Sequence, residues 1–218
     1  MIQESTMPKK SVFETHALEY DQWFVDNEKI YLAEINTLKM LLPPDKIGLE
    51  IGVGTGRFAG PLNIGIGVEP CKPMAERARQ RGIKVFEGVA ELLPFAEGTF
   101  DYALMVTTIC FVTDPLRALQ EARRILKPGG FLVLAFVDKE SDLGKKYLER
   151  KSKSLFYQDA VFFSTQEIIA LLKTAGFTIA LIKQTLLMKE GVLDTLLIED
   201  GYGKGSFIAI QAQKKSPD

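Results

Sequence analysis

The spacing of apolar positions changes along the chain, and the changes mark its elements. From Val12 to Leu42, Phe13, Ala17, Tyr20, Phe24 and then Ile30, Leu32, Ile35, Leu38 and Leu41 recur mostly at three- and four-residue steps, the period of an amphipathic helix. Asp26-Asn27-Glu28 interrupts the pattern and predicts two helices, and Pro43-Pro44 stops it. Short apolar runs follow, each bounded by glycine or charge. They predict strands over Ile47–Ile51, Ile64–Val68, Ile83–Phe86, Phe100–Val106, Phe131–Val137, Ile179–Leu187 and Ser206–Gln213.

Helical stretches separate most of these strands. Arg57–Leu62 should form about one turn, because Gly60-Pro61 truncates it. Pro70–Arg81 reads as a helix with Met74 and Ala78 on one face. Asp114 followed by Pro115 is a cap and a first helical residue, and that helix runs to Leu126, before Lys127-Pro-Gly-Gly130 turns the chain into the next strand. Ser164 or Thr165 caps a last helix that ends near Ala175-Gly176-Phe177. Strands alternating with helices predict an α/β sheet. Residues 1–11 are polar and are expected to fray.

Composition narrows the class. The 218 residues suit one domain spanning 1–218, with cap helices over 12–42 and an insertion over 138–163. That insertion is polar but carries Tyr147, Phe156, Tyr157, Phe162 and Phe163. A net charge of −1 gives no basic excess for nucleic acid. The amino terminus lacks a signal-peptide pattern, and no apolar run is long enough to span a bilayer, so no membrane partner is expected. Cys71, Cys110 and the single His16 form no metal-ligand spacing, and no metal is expected. A cytoplasmic enzyme fits these bounds.

The chemistry concentrates in Glu50-Ile-Gly52-Val-Gly54-Thr-Gly56-Arg57. Three glycines in five residues, directly after a buried strand, permit a sharp turn and a close backbone approach to a ligand. Gly56 comes one residue too early for the dinucleotide fingerprint. Glu69 ends the second strand, where a carboxylate can accept hydrogen bonds from ribose hydroxyls.

Four landmarks in order carry a resemblance: Glu50-x-Gly52-x-Gly54-x-Gly56, Glu69, Glu87-Gly-Val89-Ala90-Glu91-Leu-Leu-Pro94-Phe95, and Lys127-Pro-Gly-Gly130. Together they resemble the class I S-adenosylmethionine-dependent methyltransferases, in their small-molecule, ubiquinone/menaquinone-methyltransferase-like branch. The likeness runs from about Phe13 to Lys214. It implies a Rossmann-like, seven-stranded, mostly parallel sheet of order 3-2-1-4-5-7-6, the last strand antiparallel, with helices on both faces. It implies S-adenosylmethionine as cofactor and S-adenosylhomocysteine as product.

The resemblance also assigns residues. Tyr20, Glu50, Gly52, Gly54, Gly56, Arg57, Glu69, Pro70, Met74, Val89, Ala90, Glu91, Thr107 and Thr108 would meet the cofactor. Val89 departs from the family pattern, since an aspartate usually stands there and bonds the adenine amino group. Trp23, Phe111, Phe156 and Tyr157 would line the acceptor pocket, and 138–163 would cover it. Met74 and Cys110 suit ordinary packing better than a ligand contact. The implied reaction is in-line transfer of a methyl group to a small-molecule acceptor. His16 and Tyr20, one helical turn apart, are the candidates for a base. The alternative is a protein of this fold that binds S-adenosylmethionine or S-adenosylhomocysteine without turnover.

Overall fold

Strand residues that are apolar without alternation must be covered on both faces, and this requirement organises the chain. The computed structural model describes residues 12–189 and 191–214; the expected fraying of residues 1–11 lies outside them. Strands β1 (Gly48–Ile51), β2 (Ile66–Val68), β3 (Lys84–Phe86), β4 (Phe100–Val106) and β5 (Leu126–Val137) pair in parallel in the order β3-β2-β1-β4-β5. β9 (Gly205–Lys214) runs antiparallel between β5 and β6 (Phe177–Lys189). The fold is the expected Rossmann-like sheet. Two short strands, β7 (Val192–Asp194) and β8 (Glu199–Asp200), add to the outer edge along β6 beyond the seven expected.

Successive residues feed opposite cores. In β5, Leu132 and Leu134 join one core, while Val133 and Ala135 join the other. The first core is covered by α5 (Pro115–Ile125) and α7 (Thr165–Thr174). The second is covered by α3 (Glu28–Lys39) and α4 (Lys72–Gln80), with Phe24 from α2 (Ala17–Asp26). α1 (Val12–Thr15) precedes α2, and the break at Asn27 falls where the charged tripeptide predicted it.

Two local expectations need correction. Residues 53–63 form turns rather than a helix; Gly60 N donates to Gly56 O and Leu62 N to Phe58 O, but no helical segment develops. Lys127-Pro-Gly-Gly130 does not lie outside the strand. It is a bulge within β5: Phe100 faces Leu126 and Tyr102 faces Phe131, so β5 carries three extra residues there.

The neck of the insertion is stapled. Asp138, buried at the end of β5, accepts hydrogen bonds from Glu140 N at 2.8 Å and from Thr165 N at 3.1 Å. Between them stands α6 (Asp142–Arg150), and Val161 N donates to Cys110 O at 2.8 Å, tying the insertion to the segment after β4.

The amino-terminal helices are held by a buried carboxylate. Asp21 Oδ1 accepts from Thr55 Oγ1 at 2.6 Å and from Arg57 Nε at 2.9 Å. Asp21 Oδ2 accepts from an Arg81 guanidinium nitrogen at 2.6 Å, and the Asp21 carbonyl accepts from Arg57 at 3.1 Å. Arg81 also donates to Thr55 O at 2.6 Å, and Tyr31 donates to Arg57 O. Burial pushes the Asp21 carboxyl up, but the bonds from Arg57, Thr55 and Arg81 outweigh it and hold the group below the usual value. Its stabilising effect is therefore present above the unfolded value of 3.8 and is lost as pH falls through the depressed one.

Asp21→Ala should lower stability by about 2 kcal/mol, after allowance for the partly exposed arginines. A thermal melt should fall by roughly 4–8 °C. An unchanged melting temperature would show that the helices are held by apolar packing alone.

Candidate functional site

The carboxyl edge of a parallel sheet gathers loops that leave successive strands, and ligands bind there. β1 ends at Ile51, and Gly52 N and Val53 N both donate to Val68 O of β2, which folds the glycine loop over the sheet edge. Glu69 locks it. Its Oε2 accepts from Gly54 N at 2.9 Å and its Oε1 from Cys71 N at 3.0 Å. Burial raises the Glu69 carboxyl, and the Cys71 and Gly54 donors oppose that rise. Each oxygen keeps a second lone pair, so a fixed carboxylate stands ready for donors from a ligand.

The loop borders a cavity of about 810 Å³. That is near the upper end of the range for ligand sites. Gly54, at φ 54°, lines it; a Cβ there would stand 3.6 Å from Met74 and 3.8 Å from the Tyr20 hydroxyl, inside the space a ligand would need. The expected cofactor residues Tyr20, Gly52, Gly54, Glu69, Pro70 and Met74 line this one cavity. So do Val89, Ala90 and Glu91 from the loop after β3, and Thr107 and Thr108 after β4. These donors, glycines and apolar walls fit a ribose, a short chain and a flat base, so the residues present suit S-adenosylmethionine.

Three expected cofactor residues lie elsewhere. Glu50 is buried beneath the loop, where burial raises its carboxyl strongly against an opposing Ala59 N–H. Its Oε2 has no hydrogen-bond partner among the described residues. Gly56, at φ 82°, packs: a Cβ would come within 2.5 Å of Ile83 and 3.2 Å of Ala78. Arg57 is engaged by Asp21. None of the three borders the cavity.

The other half of the cavity is aromatic. Trp23, Phe111, Phe156 and Tyr157, the expected acceptor residues, all line it, with Phe13 and Tyr147. Phe13 stacks on Phe156 at 5.7 Å and meets Phe111 edge-on at 5.1 Å, so α1, the segment after β4 and the insertion share one wall. Tyr147 and Tyr157 stack at 5.2 Å. Val89 is exposed at the opening and offers only an apolar face. Cys110 donates to Thr107 O at 3.0 Å and is pushed up to about 12 by burial, which suits a packing role. His16 also borders the cavity, with Nδ1 3.1 Å from Glu19 Oε1.

Sequence reasoning passed over Glu34. It is only 5% exposed on α3 and lines the same cavity. A signal existed: Ile30, Glu34 and Leu38 are spaced four apart, which sets a carboxylate on an apolar stripe. Burial alone pushes Glu34 up to about 8. Between the unfolded value of 4.5 and this one, the native state keeps a proton that the unfolded chain releases. Stability is then full below 4.5 and declines as pH rises toward 8. Glu34→Gln should remove that decline, so its melting temperature relative to wild type should climb by at least about 2 °C across this window. Parallel melting curves against pH would contradict the assignment.

The comparisons with known proteins agree with this geometry. A family model described as a methyltransferase domain matches residues 49–134. An uncharacterized protein of Methanocaldococcus jannaschii is 47% identical over 204 residues, covering 94% of this chain and 99% of that protein. An uncharacterized protein of Mycobacterium tuberculosis is 35% identical over 216 residues, covering 96% of this chain and 76% of that protein. A crystal structure from Thermotoga maritima, described as an S-adenosylmethionine-dependent methyltransferase and possible histamine N-methyltransferase, superposes with a TM-score of 0.88 at 50% identity. It covers 94% of this chain and 99% of that one. The similarity thus extends well beyond the matched 49–134 region, over the cap helices and the closing strands, and the chain belongs to the S-adenosylmethionine-dependent methyltransferases.

Proposed function

We propose that the protein transfers a methyl group from S-adenosylmethionine to a small-molecule acceptor held in the same cavity. The observation that carries this reading is the continuity of the cavity. It runs from the glycine loop and Glu69 to the aromatic wall of Trp23, Phe111, Phe156 and Tyr157. When bound, the cofactor supplies an electrophilic methyl group on a sulfonium. The protein's work is to position and to exclude water.

In this reading Glu69 accepts hydrogen bonds from the ribose hydroxyls, and Gly52 and Gly54 let the backbone approach the methionine part. Ala90 and Glu91 offer backbone groups to the adenine, beside an apolar Val89. Tyr20 is pushed far up, by burial first and then by Glu50 and Glu69, so its hydroxyl stays protonated and serves as a donor to the cofactor carboxylate. The insertion over 138–163 covers the acceptor. We place the protein in the cytoplasm; among the described residues no helix is long and apolar enough to cross a membrane. A protein of this fold that binds S-adenosylmethionine or S-adenosylhomocysteine without turnover is the second reading, and the apolar Val89, which offers no side-chain bond to the adenine, is what favours it.

Calorimetric titration should find micromolar binding of S-adenosylmethionine and S-adenosylhomocysteine, and none of NADH. Glu69→Ala should weaken both by roughly 10–100-fold, the worth of a bond to a charged group. Failure of both ligands to bind would remove the reading. Binding with no transfer to any acceptor would select the silent protein.

His16→Ala should keep more than about a tenth of turnover, because its ring is partly exposed and already engaged by Glu19. Loss of about 10²-fold or more would make His16 the base.

A further inference from the structure

Glu34 is a buried acid on the cavity that the methyl-transfer reading leaves unused. It lies on α3 between Ala33 and Ile35, both core residues, is buried, and lines the cavity. Among the described residues no hydrogen bond or ion pair reaches that carboxylate. Glu50, beneath the glycine loop, also has an oxygen without a partner among the described residues, but it does not border the cavity; three other buried carboxylates are supplied. Glu69 has two backbone N–H donors, Asp138 has Thr165 and Glu140, and Asp21 has its arginines. A buried carboxylate without a donor is costly to keep, and one that opens onto a cavity is a place for a donor or a cation from outside.

The groups facing it sharpen the choice. Tyr31 lies on its own helix, Tyr20 on α2, Tyr147 on α6 and Tyr157 in the insertion, and the Glu34 charge raises all four phenols, behind the larger effect of burial. All are neutral, and no lysine, arginine or histidine alters Glu34 itself, whose only perturbation is burial. An acid without a partner on a cavity lined by aromatic residues such as Tyr20, Trp23, Tyr147 and Tyr157 favours a cation. Tyr20 links this half to the other: it feels both Glu34 and Glu69, and its hydroxyl borders the space over Gly54.

We propose that the methyl acceptor is a small amine with an apolar or aromatic body, and that Glu34 binds its ammonium group and takes the proton from it. This rests on the methyl-transfer reading above. Glu34 releases its own proton to water as the ammonium enters; the ammonium then gives one proton to the freed Glu34 oxygen and becomes a neutral amine. The nitrogen lone pair forms the new N–C bond, and the C–S bond breaks with its electron pair going to sulfur. The methylated product leaves as a cation, and Glu34 keeps the proton, which restores the protonated state it had before the ammonium entered. An ammonium beside the carboxylate offsets the burial that raises Glu34, so the pair forms at neutral pH.

The test uses the full chain loaded with S-adenosylhomocysteine. 2-Phenylethylamine, tyramine and histamine are titrated by calorimetry beside 2-phenylethanol as the neutral isostere. At least one amine should bind at least about 10-fold more tightly than the alcohol. Glu34→Gln should erase that preference while leaving S-adenosylhomocysteine affinity and the alcohol unchanged. With S-adenosylmethionine, mass spectrometry should find the new methyl group on nitrogen. Equal binding of amine and alcohol, no binding of any amine, or an amine preference that survives Glu34→Gln overturns the inference. The comparison of amine with alcohol on wild-type protein needs no variant, so it stands even if Glu34→Gln folds poorly. Failure to load S-adenosylhomocysteine at all would instead sink the methyl-transfer reading, and this inference with it.

Discussion

The Asp21 carboxylate is the constraint on which the site depends. A glycine-rich loop has little side-chain packing of its own, and its backbone freedom must be removed by something outside it. Here Thr55 and Arg57 of the loop and Arg81 after α4 converge on one aspartate of α2. The same contacts that still the loop also seat the helix carrying Tyr20, Trp23 and Phe24. Arg81 doubles the link by holding the Thr55 carbonyl. Loop and helix thus share a single brace, and one half of the cavity cannot shift without the other.

Much of the architecture was legible in the residues, because burial on both faces leaves continuous apolar runs. Strand positions, the break at Asn27, the Asp114-Pro115 start and the cap at Ser164 all follow from local rules. Ser164 and Glu167 form a full capping box. What local rules missed depends on pairing. The bulge at Lys127-Pro-Gly-Gly130 reads as a turn in sequence, since proline and glycine break helices. Only the register with β4 shows that the chain stays in the sheet there. The edge strands β7 and β8 have two or three residues each, too few to carry a period.

The site was legible in its outline and less so in its assignments. Gly54, Glu69 and the aromatic residues gather at one cavity because the carboxyl ends of adjacent parallel strands are neighbours. Arg57 and Gly56 looked alike in sequence, as neighbours of a ligand loop, yet each serves the frame: one clamps a helix and the other admits Ile83 and Ala78. Glu50 lies off the cavity; the Ala59 N–H opposes the rise of its carboxyl, and its buried Oε2 has no partner among the described residues. Glu34 was hidden for the opposite reason. Helical periodicity ranks apolar positions, and a carboxylate among them reads as noise until the space in front of it is seen.

The bulge in β5 has a consequence for how this chain can vary in length. Side chains on a strand alternate with a period of two, so the three extra residues between Leu126 and Phe131 set the parity of everything that follows. Leu132 and Leu134 face one core and Val133 and Ala135 the other only while that parity holds. A slip of the strand by one residue there would exchange large for small side chains in both cores at once. The outer turns carry no such constraint on their neighbours: at Gly201 and Gly203 a Cβ would meet nothing within 4 Å, and only their positive φ favours glycine.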